Sequence, residues 1–348
     1  LTNGDFGTVV SEQGGGFMWC VNSQENKINV WQNDKAGYNT SEDIKISIDG
    51  TFYSVFAGND GLDCNITYGQ GWALWEKKIG TATVRTRIFV PREEKGKIII
   101  IDGENIPAGS EISYYTDLIL ASRRSDRRYV VTDYYDGWIR AYNRAGGPFS
   151  TEPFIIRSSS GIKAFTTDKS AWLYKDPDGF TGTDMDPCVG IICDFEGSNV
   201  FVMGCEDENC LLKFSSVSQA EDELEAVKSL WGQRVSKVQV ETGNDGLDNY
   251  VNAWGVYQTV AGRLFGRTSN YQNSGAFGFR DQLQDCVCLG GIYPELLRRQ
   301  IIRCCAHQFV EGDGQHWWRP GSAGPEGPDP GVRTLCSDDY MWLPYAVC

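Results

Sequence analysis

Through the first two-thirds of the chain, apolar positions recur with a period of two. Thr83-Val-Arg-Thr-Arg-Ile-Phe-Val90 alternates, and Lys97 to Ile101 is a short continuous apolar run. Glu111 to Leu120, Arg128 to Thr132 and Trp138 to Tyr142 follow with turn residues between them, and Phe6 to Val10 reads as a strand at the very start. Strands at such regular spacing, with no helical pattern among them, predict a large antiparallel β-sandwich. Near residue 216 the period changes. Ser218-Gln-Ala-Glu221 has the form of a capping box leading into a helix with Leu224, Val227, Leu230 and Trp231 on one side. A short strand is expected over Val235 to Val240, and Tyr250, Trp254, Tyr257, Ala261 and Leu264 then mark an amphipathic helix that also carries Val251 and Phe265. Arg280 and Asp281 open the next helix, with Leu283 and Val287 four apart and Gly290-Gly291 as its stop. Pro294 starts another, in which Leu297, Ile301, Cys305 and Phe309 share a face. The pattern divides the chain into a β-sandwich domain (1–215), a helical linker (216–245) and the first helices of an all-α domain (246–348).

Composition fits this division. The chain has 348 residues, 41% hydrophobic and 22% charged, which are globular values for about two domains. A formal net charge of −14 and the lack of a Lys/Arg stripe exclude nucleic acid as a partner. The one basic cluster, Arg123-Arg124-Ser-Asp-Arg127-Arg128, reads as a solvated hairpin tip. No apolar run approaches the roughly 18 residues of a membrane span, and no signal peptide is visible. The chain lacks an initiator Met and stops at Cys348 inside an apolar run, the pattern expected of a fragment.

Twelve cysteines invite a disulfide reading, yet the adjacent Cys304-Cys305 and the pair Cys286 and Cys288 do not make a framework that staples loops. Reduced, mostly buried thiols in a cytoplasmic protein are expected. Cys188, Cys193, Cys205 and Cys210 have four residues inside each pair and neither His307 nor His316 nearby, which argues against zinc. Asp176-Pro-Asp-Gly179 to Asp184-Met-Asp186 lacks the ligand register of a calcium loop and reads as surface. Neither a metal nor an organic cofactor is expected.

The chemistry concentrates in the helical third. Tyr271-Gln-Asn-Ser-Gly-Ala-Phe-Gly-Phe-Arg-Asp-Gln-Leu-Gln-Asp285 combines glycines at 275 and 278, which allow tight turns or close approach to a ligand, with Phe277 and Phe279 as apolar walls. An arginine fork beside a carboxylate, Arg280–Asp281, offers donors and acceptors to the vicinal hydroxyls of a sugar ring. Its structural alternative is a capped helix N-terminus with a salt-bridged arginine. Three further constellations follow: Phe309-Val-Glu-Gly-Asp313, Gln315-His-Trp-Trp318 and Ser337-Asp-Asp-Tyr-Met-Trp-Leu-Pro344. The last two set acids or an imidazole near tryptophan, whose face is a platform for pyranose rings, and the first sets its acids near Phe309. His316, Trp317, Asp338 and Asp339 join Arg280 and Asp281 as the candidate lining of a sugar cleft. Upstream, Gly14-Gly-Gly-Phe-Met-Trp19 and Asn22-Ser-Gln-Glu-Asn26 through Trp31-Gln-Asn-Asp34 read as a polar loop that could reach the same sugar, or as turns beside a buried Trp.

These segments resemble glycoside hydrolase family 94, the inverting β-glucoside phosphorylases. The likeness rests on Gly15-Gly-Phe-Met-Trp19 with Asn22–Asn26, Gly275 to Asp285, Gln308-Phe-Val-Glu-Gly-Asp313, Gln315–Trp318, and Val332-Arg-Thr-Leu-Cys-Ser-Asp-Asp339 to Trp342-Leu-Pro-Tyr345. Within the family it points to the phosphorylase-like module of cyclic β-1,2-glucan synthases and to the 1,2-β-oligoglucan phosphorylases. The resemblance implies an N-terminal β super-sandwich, a helical linker and an (α/α)6 barrel, here incomplete. It also implies that Arg280 and Asp281 hold the non-reducing glucosyl unit before the scissile bond. A β-glucan oligosaccharide and inorganic phosphate as co-substrate are the implied partners, and a homodimer is expected. Phosphate is already a competent nucleophile, so a single carboxylic acid suffices to protonate the departing oxygen, and α-glucose 1-phosphate is the product. The resemblance places that acid, an Asp, in a tryptophan-rich motif beyond Cys348, so this chain alone is expected to lack phosphorolytic activity. Two other classes remain open at this point: a non-catalytic glucan-binding or structural module, and an inverting hydrolase that uses water, for which Glu311, Asp313 or Asp339 would have to supply a second carboxylate.

Overall fold

In a computed structural model, which describes residues 1–32, 41–269, 271–323 and 328–348, two eight-stranded antiparallel sheets enclose a shared core. Asn33 and Asp34 of the polar Trp31–Asp34 segment lie outside the described residues. In the first sheet Glu111–Ala121 is the hub. It pairs with Pro187–Asp194 on one side, and on the other with Glu42–Ile48 along its first half and Lys27–Asn29 along its second. The second sheet runs Val130–Tyr135, Trp138–Asn143, Phe154–Ser158, Ser198–Gly204, Gly96–Glu104, Ala82–Phe89, Trp72–Ile79, Cys64–Gly69.

The continuous run at Lys97–Ile101 has a two-sided explanation. Ile99 and Ile101 point into the sandwich core, whereas Ile98 and Ile100 point outward and are equally buried. Helix Val217–Val235 covers that outer face with Leu224, Val227 and Trp231, and Tyr257, Val260 and Leu264 extend the same layer. A strand with apolar partners on both faces cannot show alternation. One charge pair crosses the sandwich core: Lys97 Nζ lies 2.6 Å from Glu42 Oε2, and Glu42 also accepts from Tyr114 Oη at 2.8 Å and from the Gly16 N–H at 3.0 Å.

Beyond Gly266, helices Phe279–Val287 and Pro294–Ala306 and the short Trp342–Val347 pack around a third, small core of Phe277, Phe279, Leu283, Cys304, Trp318 and Leu343. A three-stranded antiparallel sheet, Phe277–Gly278, Gln315–Trp318 and Gly331–Arg333, closes it. Among the described residues no helix is long and apolar enough to cross a membrane.

Several expectations need correction. The expected strand at Val235–Val240 does not form; the helix continues to Val235, and Asn252 takes both backbone groups of Val240 instead. The cap sits two residues earlier than expected, at Ser216, whose hydroxyl accepts the Gln219 N–H and donates to Gln219 Oε1. Residues 245–266 are helical but contain π turns at Tyr250–Trp254 and Thr259–Gly266, so Tyr250 faces solvent while Tyr257 and Leu264 are buried. Helix Pro294–Ala306 buries Leu296, Gln300 and Cys304, one position away from the expected face; Cys305 is exposed and Phe309 lies past its end. Arg128 lies in a 3-10 turn, Arg124–Tyr129, rather than starting a strand, and Arg127, expected in a solvated tip, is held by Asp186 at 2.6 Å. All twelve cysteines are unpaired, six of them buried.

Candidate active site

Where the helical part meets the first sheet, a cleft of about 320 Å³ is lined by Arg267, Ser274, Ala276, Gly278, Asp281, His316, Trp317 and Arg319. Three local devices build it. Gly278 is the N-cap of helix Phe279–Val287, and Asp281 in the first turn folds back over it, so closely that a Cβ at 278 would lie 2.6 Å from Asp281 Oδ2. The carboxylate thus sits at the positive end of the helix, and Arg267 Nη2 is 3.8 Å away.

Arg267 itself ends the preceding helical stretch in the left-handed region, with φ of 47°. Its Nε donates to Ala276 O at 2.8 Å, and burial pulls its guanidinium below the ordinary arginine range, with Arg263 adding and Asp281 opposing.

The third device is a β-bulge. Gln315 pairs with Arg333 and Trp317 with Val332, so His316 is an extra residue on its strand. Two neighbours on a regular strand point to opposite faces; the bulge lets both His316 and Trp317 line the cleft. His316 Nδ1 lies 2.6 Å from Asp339 Oδ2, and Asp339, only 2% exposed, also accepts from the Thr334 hydroxyl. Cys336 Sγ completes a His316–Cys336–Asp339 group whose donor atoms lie within 4.8 Å of one another, with Nδ1 and Oδ2 already engaged in that hydrogen bond. The other histidine is structural: His307 stacks on Trp318 at 3.9 Å, binds Gln315, and is pulled below the usual imidazole range by burial.

The sandwich supports the lining from behind. Asn22 Nδ2 donates to Gly275 O at 2.9 Å and to Pro320 O at 3.1 Å, Asn273 Nδ2 donates to Ser23 O at 2.7 Å, and Arg319 pairs with Glu25 at 3.0 Å. Gly275 has φ of +59°, and a Cβ there would lie 2.3 Å from Asn22 Oδ1, so the loop and the glycine are fitted to each other. The segment Asn22–Asn26 therefore braces the cleft through the Asn22 amide, the Ser23 carbonyl and the Glu25 carboxylate.

Of the six sequence candidates, Asp281, His316 and Trp317 line the cleft, and Asp339 lies buried behind His316. Arg280 and Asp338 stand outside that lining and pair with each other at 2.5 Å, an exposed contact that holds the Asp338 carboxyl below its usual range. Glu311 and Asp313 are taken up by Arg333. Sequence reasoning passed over Arg267, Ser274 and Arg319. Arg319 directly follows Gln315–Trp318 and was readable as part of it; Arg267 reaches the cleft only through its left-handed backbone.

The profile described as "Glycosyl hydrolase 94, supersandwich domain" matches residues 1–196, and that of the "Glycosyl hydrolase 94 superfamily, catalytic domain" matches residues 230–347. Among curated proteins, the chain is 28% identical over a 383-residue alignment to the cyclic beta-(1,2)-glucan synthase NdvB of Rhizobium meliloti, covering all of this chain and 13% of that protein. It is 28% identical to the N,N'-diacetylchitobiose phosphorylase of Vibrio proteolyticus over 39% of this chain and 20% of that protein. The chain thus spans a fifth or less of these two curated relatives. Among solved structures, a bacterial glucoamylase complexed with acarbose superposes on 99% of this chain and 55% of its own with a TM-score of 0.60 at 10% identity, a likeness of fold. With one profile alone spanning more than half of its length, the chain belongs to the glycosyl hydrolase 94 superfamily.

Proposed function

We propose that the cleft holds a glucosyl unit of a β-glucan, β-1,2-glucan foremost, and that the protein carrying this chain is an inverting glycoside phosphorylase. The observation that carries the reading is the convergence of a carboxylate, an imidazole, an indole face and two guanidinium groups on one cleft in a member of this superfamily. Asp281 accepts hydroxyl protons, Arg267 and Arg319 donate to hydroxyl oxygens, and Trp317 packs on the apolar ring face. Arg280 and Asp338 form the adjoining rim. In phosphorolysis a phosphate oxygen bonds to the anomeric carbon from the face opposite the leaving group. The glycosidic C–O bond breaks, and a carboxylic acid gives its proton to the departing oxygen; α-glucose 1-phosphate and a shortened glucoside result.

The proposal includes a sandwich over 1–215, a linker over 216–245, and helices from 246 that open an (α/α)6 barrel, in a cytoplasmic homodimer. The preference for β-1,2-glucan follows the relative that aligns along the whole chain. A second reading, an N-acetylglucosaminide substrate, draws on the relatives named as chitobiose phosphorylases. Calorimetric titration of the chain with sophorose, cellobiose and N,N'-diacetylchitobiose, with and without phosphate, separates them. Sophorose is expected to bind tightest of the three; preference for the acetylated disaccharide would install the second reading, and no saturable heat from any would defeat both.

A further inference from the structure

We propose that Asp339 is a positioning residue: with Thr334 it fixes His316 as the Nδ1–H tautomer, so that Nε2 presents an acceptor to a hydroxyl of the bound saccharide. This rests on the cleft being a saccharide site. The bulge places His316 on the cleft wall with its side chain about half exposed, and its hydrogen bond to Asp339 runs through Nδ1, on the inner edge of the ring. Asp339 is buried and receives two groups on the same oxygen, Oδ2: the Thr334 hydroxyl and His316 Nδ1. The Thr334 oxygen in turn accepts the Cys336 N–H at 2.9 Å, and of the two acceptors within reach of its own proton Asp339 Oδ2 is nearer than Cys336 O at 3.3 Å.

A carboxylate oxygen offers lone pairs and no proton, so the partner at Nδ1 has to be N–H. In the neutral ring the second nitrogen carries a lone pair on the outer edge, on the side of the cleft. Every other polar side chain named in the lining except Asp281 and Ser274 is a pure donor or an indole, so an imidazole acceptor adds a third group that can take protons from sugar hydroxyls. A sugar lacking the matching hydroxyl would leave this acceptor unpaired, a penalty that makes the position discriminating.

The chain has two histidines, so the ring-nitrogen spectrum is simple to assign. In the 15N-histidine-labelled chain, long-range proton–nitrogen correlation is expected to show His316 protonated at Nδ1 and bare at Nε2. Asp339→Asn, whose amide can donate to Nδ1, is expected to move the proton to Nε2 and to weaken sophorose binding about tenfold, the scale of one hydrogen bond. His307 signals should stay unchanged, reporting an intact fold. Thr334→Val should shift the tautomer in the same direction by less. A wild-type His316 protonated at Nε2, or an Asp339→Asn chain that switches tautomer yet binds sophorose as tightly as wild type, overturns the proposal. Absence of sophorose binding to the wild-type chain instead removes the saccharide reading, and the acceptor role with it, while the tautomer still reports what Asp339 does.

Discussion

Replacing Lys97 by methionine is expected to lower the stability of the chain by about 3–5 kcal/mol, because it strands a carboxylate inside the sandwich. Lys97 is fully buried on strand Gly96–Glu104 of one sheet, and Glu42, 2% exposed, begins strand Glu42–Ile48 of the other. Burial pulls the Lys97 ammonium below its ordinary range and the nearby Glu42 charge opposes it, the balance of a pair that depends on its partner. Without the ammonium, Glu42 keeps, among the described residues, the Tyr114 hydroxyl and the Gly16 N–H. Denaturant titration should show the loss for Lys97→Met, and the double variant Glu42→Leu/Lys97→Met should recover much of it, because two apolar groups leave no charge unpaired. A double variant as unstable as the sum of the two single ones would contradict this account. The consequence reaches the cleft: Gly16 lies on strand Gly14–Cys20, and the chain runs from there into Asn22 and the loop beneath Gly275.

Removing the Asp281 side chain as Asp281→Ala is expected to reduce sophorose affinity about 10- to 100-fold, the loss of roughly 1.5–3 kcal/mol that a hydrogen bond to a charged group contributes. Its carboxylate is positioned by the helix N-terminus and by Arg267, and nothing else in the lining is an anion. Trp317→Ala should also weaken binding, through the lost ring face, but by less. Calorimetry on the folded variants reads both. An Asp281→Ala chain that binds sophorose like wild type would remove the carboxylate from the sugar site, and a larger loss in Trp317→Ala would mean that stacking dominates.

The sandwich was legible because alternation is a direct record of one buried face, and strand Ala82–Phe89 keeps it as far as Ile88. The helical third was harder for identifiable reasons. Helix Pro294–Ala306 buries Gln300 and Cys304, which do not weigh as strongly apolar, so the half-buried Leu297 and Ile301 next to them suggested a face shifted by one residue. The π turns in 245–266 break the 3.6-residue period on which such a reading depends. At the site, the residue types were readable and the geometry was not. A bulge adds one residue without a composition signal, and only the pairing of Gln315 and Trp317 with Arg333 and Val332 reveals that His316 and Trp317 face the same cleft. Conversely, Arg280 is adjacent to Asp281 in sequence, yet its guanidinium is held by Asp338, 58 residues away along the chain.

Phosphorus NMR of the protein in which these 348 residues occur, incubated with sophorose and inorganic phosphate, tests the central claim most directly. The account predicts a growing α-glucose 1-phosphate resonance matched by loss of phosphate and release of glucose. Glucose formed with no change in the phosphate signal would show a hydrolase instead, and an unchanged spectrum with intact sophorose would contradict phosphorolysis of this linkage.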